Sequence, residues 1–305
     1  MIQSNTNHQT KPNKIIVFDL DETLGYFTEF GLFWTSLNTY CKNILGQNEF
    51  DSLLDLFPEF IRPNMFQILQ YIKYKKELYK CDKIMIYTNN QYPSEWSRMI
   101  KNYFESKIQK KMQKNMSKLN EPIIFDQIIQ AFKIRGERIE LLRTTHKKTH
   151  DDLIKCTFLP YNTEIFFLDD ALHTDMCSDK IYYINLKPYI YKLQYEQLIN
   201  RFLKSENLYN MQIKDRIKDK IEFKNEMLRM LNEYDYTYKK KPLEEYDMDK
   251  IISKKIMFHL NEFFTKDLSK RTEHIIVVNN SKSVNKFTRC KNYKYRNMNK
   301  TKKNI

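Results

Sequence analysis

The chain has 305 residues, of which 41% are hydrophobic and 30% are charged, so it can bury a core in one large domain or two small ones. Its 52 Lys and Arg outnumber its 38 Asp and Glu, and the net charge of +14 indicates acidic partners such as nucleic acid, phosphoproteins or an anionic membrane surface. With only 4 Gly and 8 Pro, the composition argues against a disordered linker protein.

Targeting and membrane signals are lacking in the sequence. Residues 1–13 are polar and carry no apolar core of the signal-peptide type, and no stretch approaches the ~20 apolar residues of a membrane span. The 5 cysteines are scattered without a Cys-x-x-Cys pair, as is usual in a reducing compartment. We therefore expect an intracellular protein, cytoplasmic or nuclear, without a membrane partner.

The first predicted element is a strand at residues 15–18, an apolar run of the kind that is buried on both faces of a parallel sheet. Asp19 follows this strand at its carboxyl end, where open α/β sheets bind ligands, and Asp21 points the same way because side chains alternate. Two carboxylates in one crevice repel each other, so a cation or a shared proton is expected. Mg²⁺ is the natural guest, and a solvated acidic turn is the alternative.

The following stretch predicts a flap over this crevice and then two helices. The aromatic segment 26–33 predicts a hairpin flap, and apolar residues at helical spacing predict a helix within 35–56. A new helix is predicted to start within 61–69, with Pro63 near its first turn.

A second apolar run at 83–87 predicts another strand, and the strand–helix–strand order implies a parallel sheet with right-handed crossovers. Thr88 then lies at the end of this strand, beside Asp19. Its hydroxyl and the backbone N–H groups that follow, beginning with Asn89, can donate to a phosphate oxygen. An ordinary Thr at a strand end is the alternative for this position alone.

The middle of the chain leads to a third strand. A helix is predicted over 93–113 and β-rich sequence over 123–132, and residues 164–168 form a third apolar run that closes on Asp169 and Asp170.

Polar and basic residues lie just before that third strand. Thr149 or Asp151 is a credible helix N-cap. His146 and His150 are at helical spacing and suggest zinc together with Cys156, but the ligand spacing typical of zinc sites is lacking.

The C-terminal third predicts a helical extension and a tail. Helical spacing over 190–203, 211–231 and 248–264 predicts helices packed on the preceding core. Residues 282–305 contain nine Lys and Arg and no acidic residue, which suits a disordered arm that contacts phosphates or nucleic acid, a solubilising tail or a nuclear address.

The sequence of residues 19–24, Asp-Leu-Asp-Glu-Thr-Leu, resembles the first motif of the haloacid-dehalogenase-type phosphatases. Its wording resembles the branch that acts on the C-terminal domain of RNA polymerase II, which contains the small CTD phosphatases and the NLI-interacting-factor-like proteins. The segment 61–69 resembles the Arg-Pro-Gly-x-x-x-Phe-Leu signature of that branch, with Asn64 in place of glycine. The segment 123–142 resembles its small strand insertion, and the resemblance ends near Tyr189.

The remaining motifs of the family match in order: Thr88 the second, Lys148 the third, with Lys147 as the alternative, and Asp169-Asp170 the fourth. The resemblance implies a doubly wound α/β phosphatase domain over 12–190 without a large cap domain. A helical extension over 191–270 and a basic tail over 271–305 follow it.

The resemblance also implies a mechanism, in which Asp19 attacks phosphorus to form an aspartyl-phosphate while Asp21 serves as the general acid and base. Thr88, Asn89 and Lys148 hold the phosphate. Mg²⁺ binds at Asp19, Asp21 (through its backbone carbonyl), Asp169 and Asp170.

The favoured substrate is phosphoserine or phosphothreonine of a protein such as the RNA polymerase II C-terminal domain. A polynucleotide 3′-phosphatase is one alternative, encouraged by the charge. A non-catalytic, nucleic-acid-associated protein that works through the basic tail is another. A P-loop kinase is disfavoured, because the chain has no Gly-x-x-x-x-Gly-Lys-Ser/Thr loop.

Overall fold

A computed structural model of the chain describes residues 13–113, 124–205, 213, 216–234, 237–266, 268 and 275–278. Its strands are β1 (Lys14–Phe18), β2 (Lys83–Tyr87), β3 (Gln127–Ile129), β4 (Lys133–Ile134), β5 (Glu137–Arg138), β6 (Glu164–Asp169), β7 (Ile181–Leu186) and β8 (Ile275–Val278). Its α-helices are α1 (Thr28–Tyr40), α2 (Gln47–Asp55), α3 (Met65–Glu77), α4 (Ser94–Gln113), α5 (His150–Thr157), α6 (Tyr195–Lys204), α7 (Lys220–Leu231) and α8 (Leu243–Thr265). Short 3-10 helices lie at Pro58–Phe60 and Thr174–Met176.

The central feature is a six-stranded sheet in the order β3-β2-β1-β6-β7-β8, in which every neighbouring pair is parallel. The strand order runs outward in both directions from β1 and β6, so the topology reverses between these two strands. Such a reversal opens a crevice at the carboxyl ends of the strands, where α/β proteins bind ligands. The predicted α/β class with a parallel sheet is confirmed, and the arrangement is compatible with a doubly wound, Rossmann-like fold.

Helices cover both faces of the sheet and create two separate cores. Ile16 and Phe18 pack into the larger core, with helices α1–α4 and α6–α8, whereas Ile15 and Val17 pack into the smaller core under α5. Successive side chains of a strand point to opposite faces, and both faces are covered here. All of β1 is therefore buried, as its apolar sequence predicts.

The flap hairpin predicted over 26–33 is wrong, because this segment enters helix α1. Phe27, Phe30, Phe33 and Leu37 are fully buried, and their spacing of three to four residues places them on one face of a helix. The helix predicted within 35–56 is two helices, α1 and α2. Gly25 forms isolated β-bridges with Asp21 and with Ile61.

Helix α3 begins at Met65, two residues after Pro63, as the sequence indicates. Asn64 precedes it with a φ of 61°, in the left-handed region that favours glycine. Asn is the residue that best tolerates this conformation after glycine, so Asn64 can form this entry turn.

The C-terminal helices pack on the core as predicted: α7 lies against α1, and α8 lies against α3 and β7. The basic tail predicted from residue 271 is wrong for residues 275–278, which form strand β8 beside β7. This run of Ile-Ile-Val-Val is largely buried, so its apolar side chains outweigh the basic character of the sequence around it. The predicted basic arm, residues 282–305, lies outside the described residues.

A search of the described residues for membrane-spanning helices finds no helix that combines the required length with sufficient apolar character.

Candidate active site

Three neighbouring strands bring the predicted site residues together at one edge of the sheet. Asp19 follows β1, Thr88 follows β2, and Asp169 and Asp170 lie at the end of β6. The register aligns these ends, because Phe18, the last residue of β1, pairs with Ile86 and with Leu168. Each of these partners is the second-last residue of its strand. The sheet therefore delivers these side chains to the crevice between β1 and β6.

Lys148 reaches this edge of the sheet from the loop that precedes helix α5. Thr149 caps helix α5, accepting a hydrogen bond from the Asp152 backbone N–H with its side chain, so the cap predicted at Thr149 is confirmed. The cap holds Lys148 just before the helix. The Lys148 side chain is 2% exposed, and its Nζ donates to Asp19 Oδ1 and, over 2.6 Å, to Asp169 Oδ2. Lys147, the alternative, is exposed.

Burial and charge oppose each other at this lysine. Burial lowers the pKa of Lys148, but the carboxylates of Asp169 and Asp19 outweigh it and raise the pKa above its usual value. The lysine is therefore a permanent cation at neutral pH. It is a point charge, with three donors that can reach oxygens on different strands.

The carboxylates respond differently to the same cation. Burial raises the pKa of Asp19 well above its usual range, and the neighbouring charges of Asp169 and Asp21 add to this against the effect of Lys148. At Asp169, burial also acts to raise the pKa, but Lys148 and His173 prevail and lower it. His173 Nε2 lies 3.3 Å from Asp169 Oδ2. Lys148 thus acts electrostatically on four carboxyl groups, those of Asp19, Asp21, Asp169 and Asp170, whereas His173 acts on Asp169.

An excess of carboxylates in a buried crevice favours a divalent cation. Asp19, Asp169 and Asp170 can each offer one oxygen, and these oxygens lie within 4.8 Å of one another. Thr23 orients the third of them, because its hydroxyl donates to Asp170 Oδ1 over 3.1 Å. An all-oxygen set of this kind suits a hard ion such as Mg²⁺. Three of the four predicted metal residues therefore form one group that can hold a metal.

The alternative zinc set is not brought together. In the part of the chain that the structure describes, the group above is the one found with metal-binding geometry, and it contains neither His146, His150 nor Cys156.

Asp21, the fourth predicted metal residue, has a different environment. Its side chain is not in the three-aspartate group. Its Oδ2 instead accepts a hydrogen bond from Asn90 Nδ2 over 2.6 Å. Burial raises the pKa of Asp21, and the charge of Asp170 adds to this. A carboxyl group that stands outside the group of possible metal ligands is free to exchange a proton with a reacting oxygen.

Thr88 and the two asparagines after it form the β2 side of the site. Thr88 is buried, and its Oγ1 accepts a hydrogen bond from the Asn90 backbone N–H over 3.0 Å. A hydroxyl that accepts in this way keeps its own hydrogen for donation to a ligand. The Asn89 side chain contacts Arg143, because its Oδ1 accepts a hydrogen bond from Arg143 Nη2 over 2.8 Å. Asn90, which the sequence did not single out, is thus the asparagine that contacts a predicted catalytic aspartate.

Arg143 is a functional candidate that sequence reasoning missed. It is fully buried, and its Nη1 donates to the Thr88 carbonyl over 3.1 Å and to the Gln130 carbonyl over 2.8 Å. Its Nη2 reaches the carbonyls of His146 and Lys147 over 3.2 and 3.1 Å. One guanidinium therefore joins the end of β2 to the loop that delivers Lys148. No sequence signal distinguishes Arg143 from the other basic residues, because the chain contains 52 Lys and Arg.

Arg62 plays a comparable part on the opposite side of the crevice. It is 1% exposed, and its Nε donates to the Thr23 carbonyl over 2.7 Å. Its Nη2 donates to the carbonyls of Glu22 and Lys187 over 2.6 and 3.0 Å. Glu22 adopts a left-handed φ of 58°, and this anchoring holds the turn that carries Asp21.

The site is thus an edge-of-sheet crevice with four carboxyl groups, one buried lysine and two buried arginines that fix the loops around them. Comparison of the chain with protein-family models, with curated proteins and with solved structures finds no match.

Proposed function

We propose that this protein is a Mg²⁺-dependent phosphatase of the haloacid-dehalogenase type that works through an aspartyl-phosphate. One observation carries the proposal: buried Lys148 bridges Asp19 and Asp169, which lie on neighbouring strands beside Asp170. This arrangement supplies a nucleophile, a cation for the phosphate and a set of metal ligands within one crevice. It unites the first, third and fourth motifs of the resemblance at a single point.

In the first half-reaction, a carboxylate oxygen of Asp19 attacks phosphorus while the ester oxygen departs from the opposite side. Asp21 gives its proton to the departing oxygen, so that an alcohol leaves and Asp19 carries the phosphoryl group. In the second half-reaction, water attacks the same phosphorus and Asp21 takes up a proton from it. Inorganic phosphate and free Asp19 are the products.

The other residues bind and orient the phosphate. Thr88 donates its hydroxyl hydrogen, Lys148 supplies the positive charge, and backbone N–H groups from Asn89 onward approach the phosphate oxygens. Mg²⁺ bound at Asp19, Asp170 and the Asp21 backbone carbonyl, with Asp169 close by, would neutralise the charge that otherwise repels a phosphate dianion.

The favoured substrate is phosphoserine or phosphothreonine in a protein, such as the C-terminal domain of RNA polymerase II. The sequence of residues 19–24 supports this choice, because it resembles the first motif of the branch with that activity. A polynucleotide 3′-phosphatase is the second candidate, and the net charge of +14 favours it, since polyanions are attracted to a basic protein.

A substrate screen tests both candidates. Purified protein is assayed with phosphopeptides, nucleic acids bearing a 3′-phosphate and small phosphate esters, over a Mg²⁺ series and with a chelator. We expect Mg²⁺-dependent release of phosphate, and a higher Mg²⁺ requirement in Asp170→Ala. Asp175→Ala is the matched control, because Asp175 is an exposed aspartate outside the three-aspartate group. Turnover that ignores both the chelator and Asp170→Ala would refute the proposed chemistry.

A further inference from the structure

A basic groove is lined by residues other than those of the carboxylate crevice. Residues 191–193, helix α6 and the segment 237–246 line an open groove of about 550 Å³, which we call the α6 groove. Five of its lining residues are cations and none is acidic; the cations are Lys192, Arg201, Lys204, Lys240 and Lys241. A surface with one sign of charge attracts ligands of the opposite sign.

Two hydrogen bonds join the residues that precede helix α6 to the segment 237–246. Lys192 Nζ donates to the Thr237 carbonyl over 2.9 Å, and Lys241 Nζ donates to the Ile190 carbonyl over 2.8 Å. Residues Gln197, Asn200, Arg201 and Lys204 are spaced by three and four positions, so they lie on one face of α6. These two hydrogen bonds and one face of α6 thus give the groove a defined shape.

The positive charges are only partly neutralised. Lys241 forms a salt bridge with Asp249, and Arg201 forms one with Glu59 over 2.6 Å. Lys204 and Lys240 are exposed, and neither makes a salt bridge with any residue in the described ranges. The groove therefore offers exposed cations beside cations that are held in fixed positions.

Aromatic rings are interleaved with these charges. Tyr191, Tyr238 and Tyr246 line the groove, and the rings of Tyr191 and Tyr246 pack edge to face with centroids 5.7 Å apart. Cations that track a phosphate backbone, with aromatic rings on which bases stack, are the features by which proteins bind single-stranded nucleic acid. A peptide that binds through apolar side chains or its backbone would need apolar pockets or a free strand edge. An acidic or phosphorylated peptide would use the cations but not the aromatic rings between them. Leu193 is the one aliphatic lining residue, and neither wall of the groove is a strand.

We propose that the α6 groove binds single-stranded nucleic acid. Phosphates lie against Lys204, Lys240 and Arg201, and a base contacts Tyr238. This function does not depend on the phosphatase chemistry, since the groove contains none of the residues assigned to it. It is also distinct from the basic arm predicted at 282–305.

Charge-matched variants of the full chain test this assignment. Binding of a labelled oligo(dT) strand is measured by fluorescence anisotropy over a salt series. The double variant Lys204→Gln/Lys240→Gln is compared with Lys80→Gln/Lys254→Gln, which removes two exposed lysines outside the groove. Both variants lose the same charge, so any binding by other basic segments changes equally. Circular dichroism confirms that each variant is folded.

We expect Lys204→Gln/Lys240→Gln to bind about tenfold more weakly at low salt, with a salt slope shallower by about 1.4, because each phosphate contact to a single strand contributes about 0.7. Lys80→Gln/Lys254→Gln should keep nearly the wild-type slope. Tyr238→Leu should lose about tenfold in affinity at an unchanged slope, because stacking is uncharged. A wild-type chain that does not bind the strand, equal losses in the two double variants, or a loss for a phosphopeptide but not for oligo(dT), would overturn the proposal.

Discussion

Lys148 and Asp169 form a buried ion pair in which Nζ donates to Oδ2 over 2.6 Å, and neither side chain is more than 2% exposed. The same Nζ donates to Asp19. A single ammonium therefore bridges the carboxyl groups of Asp19, after β1, and Asp169, at the end of β6. Removing one member of a buried pair leaves an uncompensated charge, which is strongly destabilising.

We expect Lys148→Met to lower the free energy of unfolding by about 3–5 kcal/mol in the absence of metal. Loss of a charge that stabilises the transition state should also slow turnover ~10²–10³-fold. Lys147→Met is the matched control, since Lys147 is adjacent and exposed, and it should resemble the wild type. Chemical denaturation and phosphate-ester kinetics measure both effects. A larger kinetic loss in Lys147→Met would reverse the assignment of the two lysines.

Asp21→Asn should slow hydrolysis of an alkyl phosphate ~10²–10⁴-fold, because an amide cannot donate the proton that the leaving oxygen needs. An aryl phosphate, whose leaving group departs without a proton, should lose much less. The Mg²⁺ requirement should change little, since the expected metal contact of Asp21 is its backbone carbonyl.

The comparison of these two substrates in Asp21→Asn separates proton transfer from general damage to the site. Glu22→Gln serves as the control, because it neutralises the adjacent carboxylate. Equal losses on the alkyl and aryl esters, or a collapse of metal affinity, would remove Asp21 from the role of general acid.

Arg143→Lys should slow turnover ~10–10²-fold without changing the Mg²⁺ requirement. An ammonium cannot reproduce a planar fork that donates to four carbonyls and to Asn89, so Thr88 and the Lys148 loop should shift, and small shifts of catalytic groups are costly in rate. The three aspartates that could hold a metal lie at other strands and should stay in place. Arg135→Lys, at an exposed position, is the control. If Arg143→Lys matches the wild type in kcat and KM, Arg143 does not position the site.

The sequence predicts the elements around the crevice well where the signal is local. A buried strand that ends in a carboxylate is visible in residues 15–19 and again in 164–170, and Thr149 carries the chemistry of a helix cap in its own side chain. The parallel sheet then brings such strand ends together. These predictions succeed because each depends on a few adjacent residues and one rule of topology.

The failures depend on contacts that are distant in the sequence. The aromatic residues of 26–33 suit a strand or a helix, and packing against the larger core decides for α1. Arg143 contacts carbonyls from several separate segments, which no spacing reveals. Strand β8 is a short apolar run in basic sequence, and its place beside β7 depends on a fold completed almost ninety residues earlier in the chain.

His150 should make folding stability depend on pH, since it is the first residue of α5 and its Nε2 is buried with no hydrogen-bond partner in the described structure. Burial lowers the pKa of His150 below its usual 6.5. The folded state then binds fewer protons than the unfolded state, so stability is present above the unfolded pKa and is lost as the pH falls through the folded pKa.

Thermal melts from about pH 7.5 to about pH 5.5 measure this effect, because the interval includes the unfolded pKa of histidine. We expect the wild type to lose stability over this interval and His150→Gln to lose less. His146→Gln is the control, because the ring of His146 is exposed in the folded protein. Parallel curves for the wild type and His150→Gln would show that burial of His150 does not couple folding to protons.

We expect Asp19 to become phosphorylated during turnover. The most direct measurement is acid quenching of the protein during hydrolysis of a radiolabelled phosphate ester with Mg²⁺, followed by digestion and mapping of the labelled peptide. We expect the label on Asp19 in the wild type and in Asp175→Asn, and neither label nor turnover in Asp19→Asn. Near-normal turnover in Asp19→Asn, or label on another residue, would contradict the account.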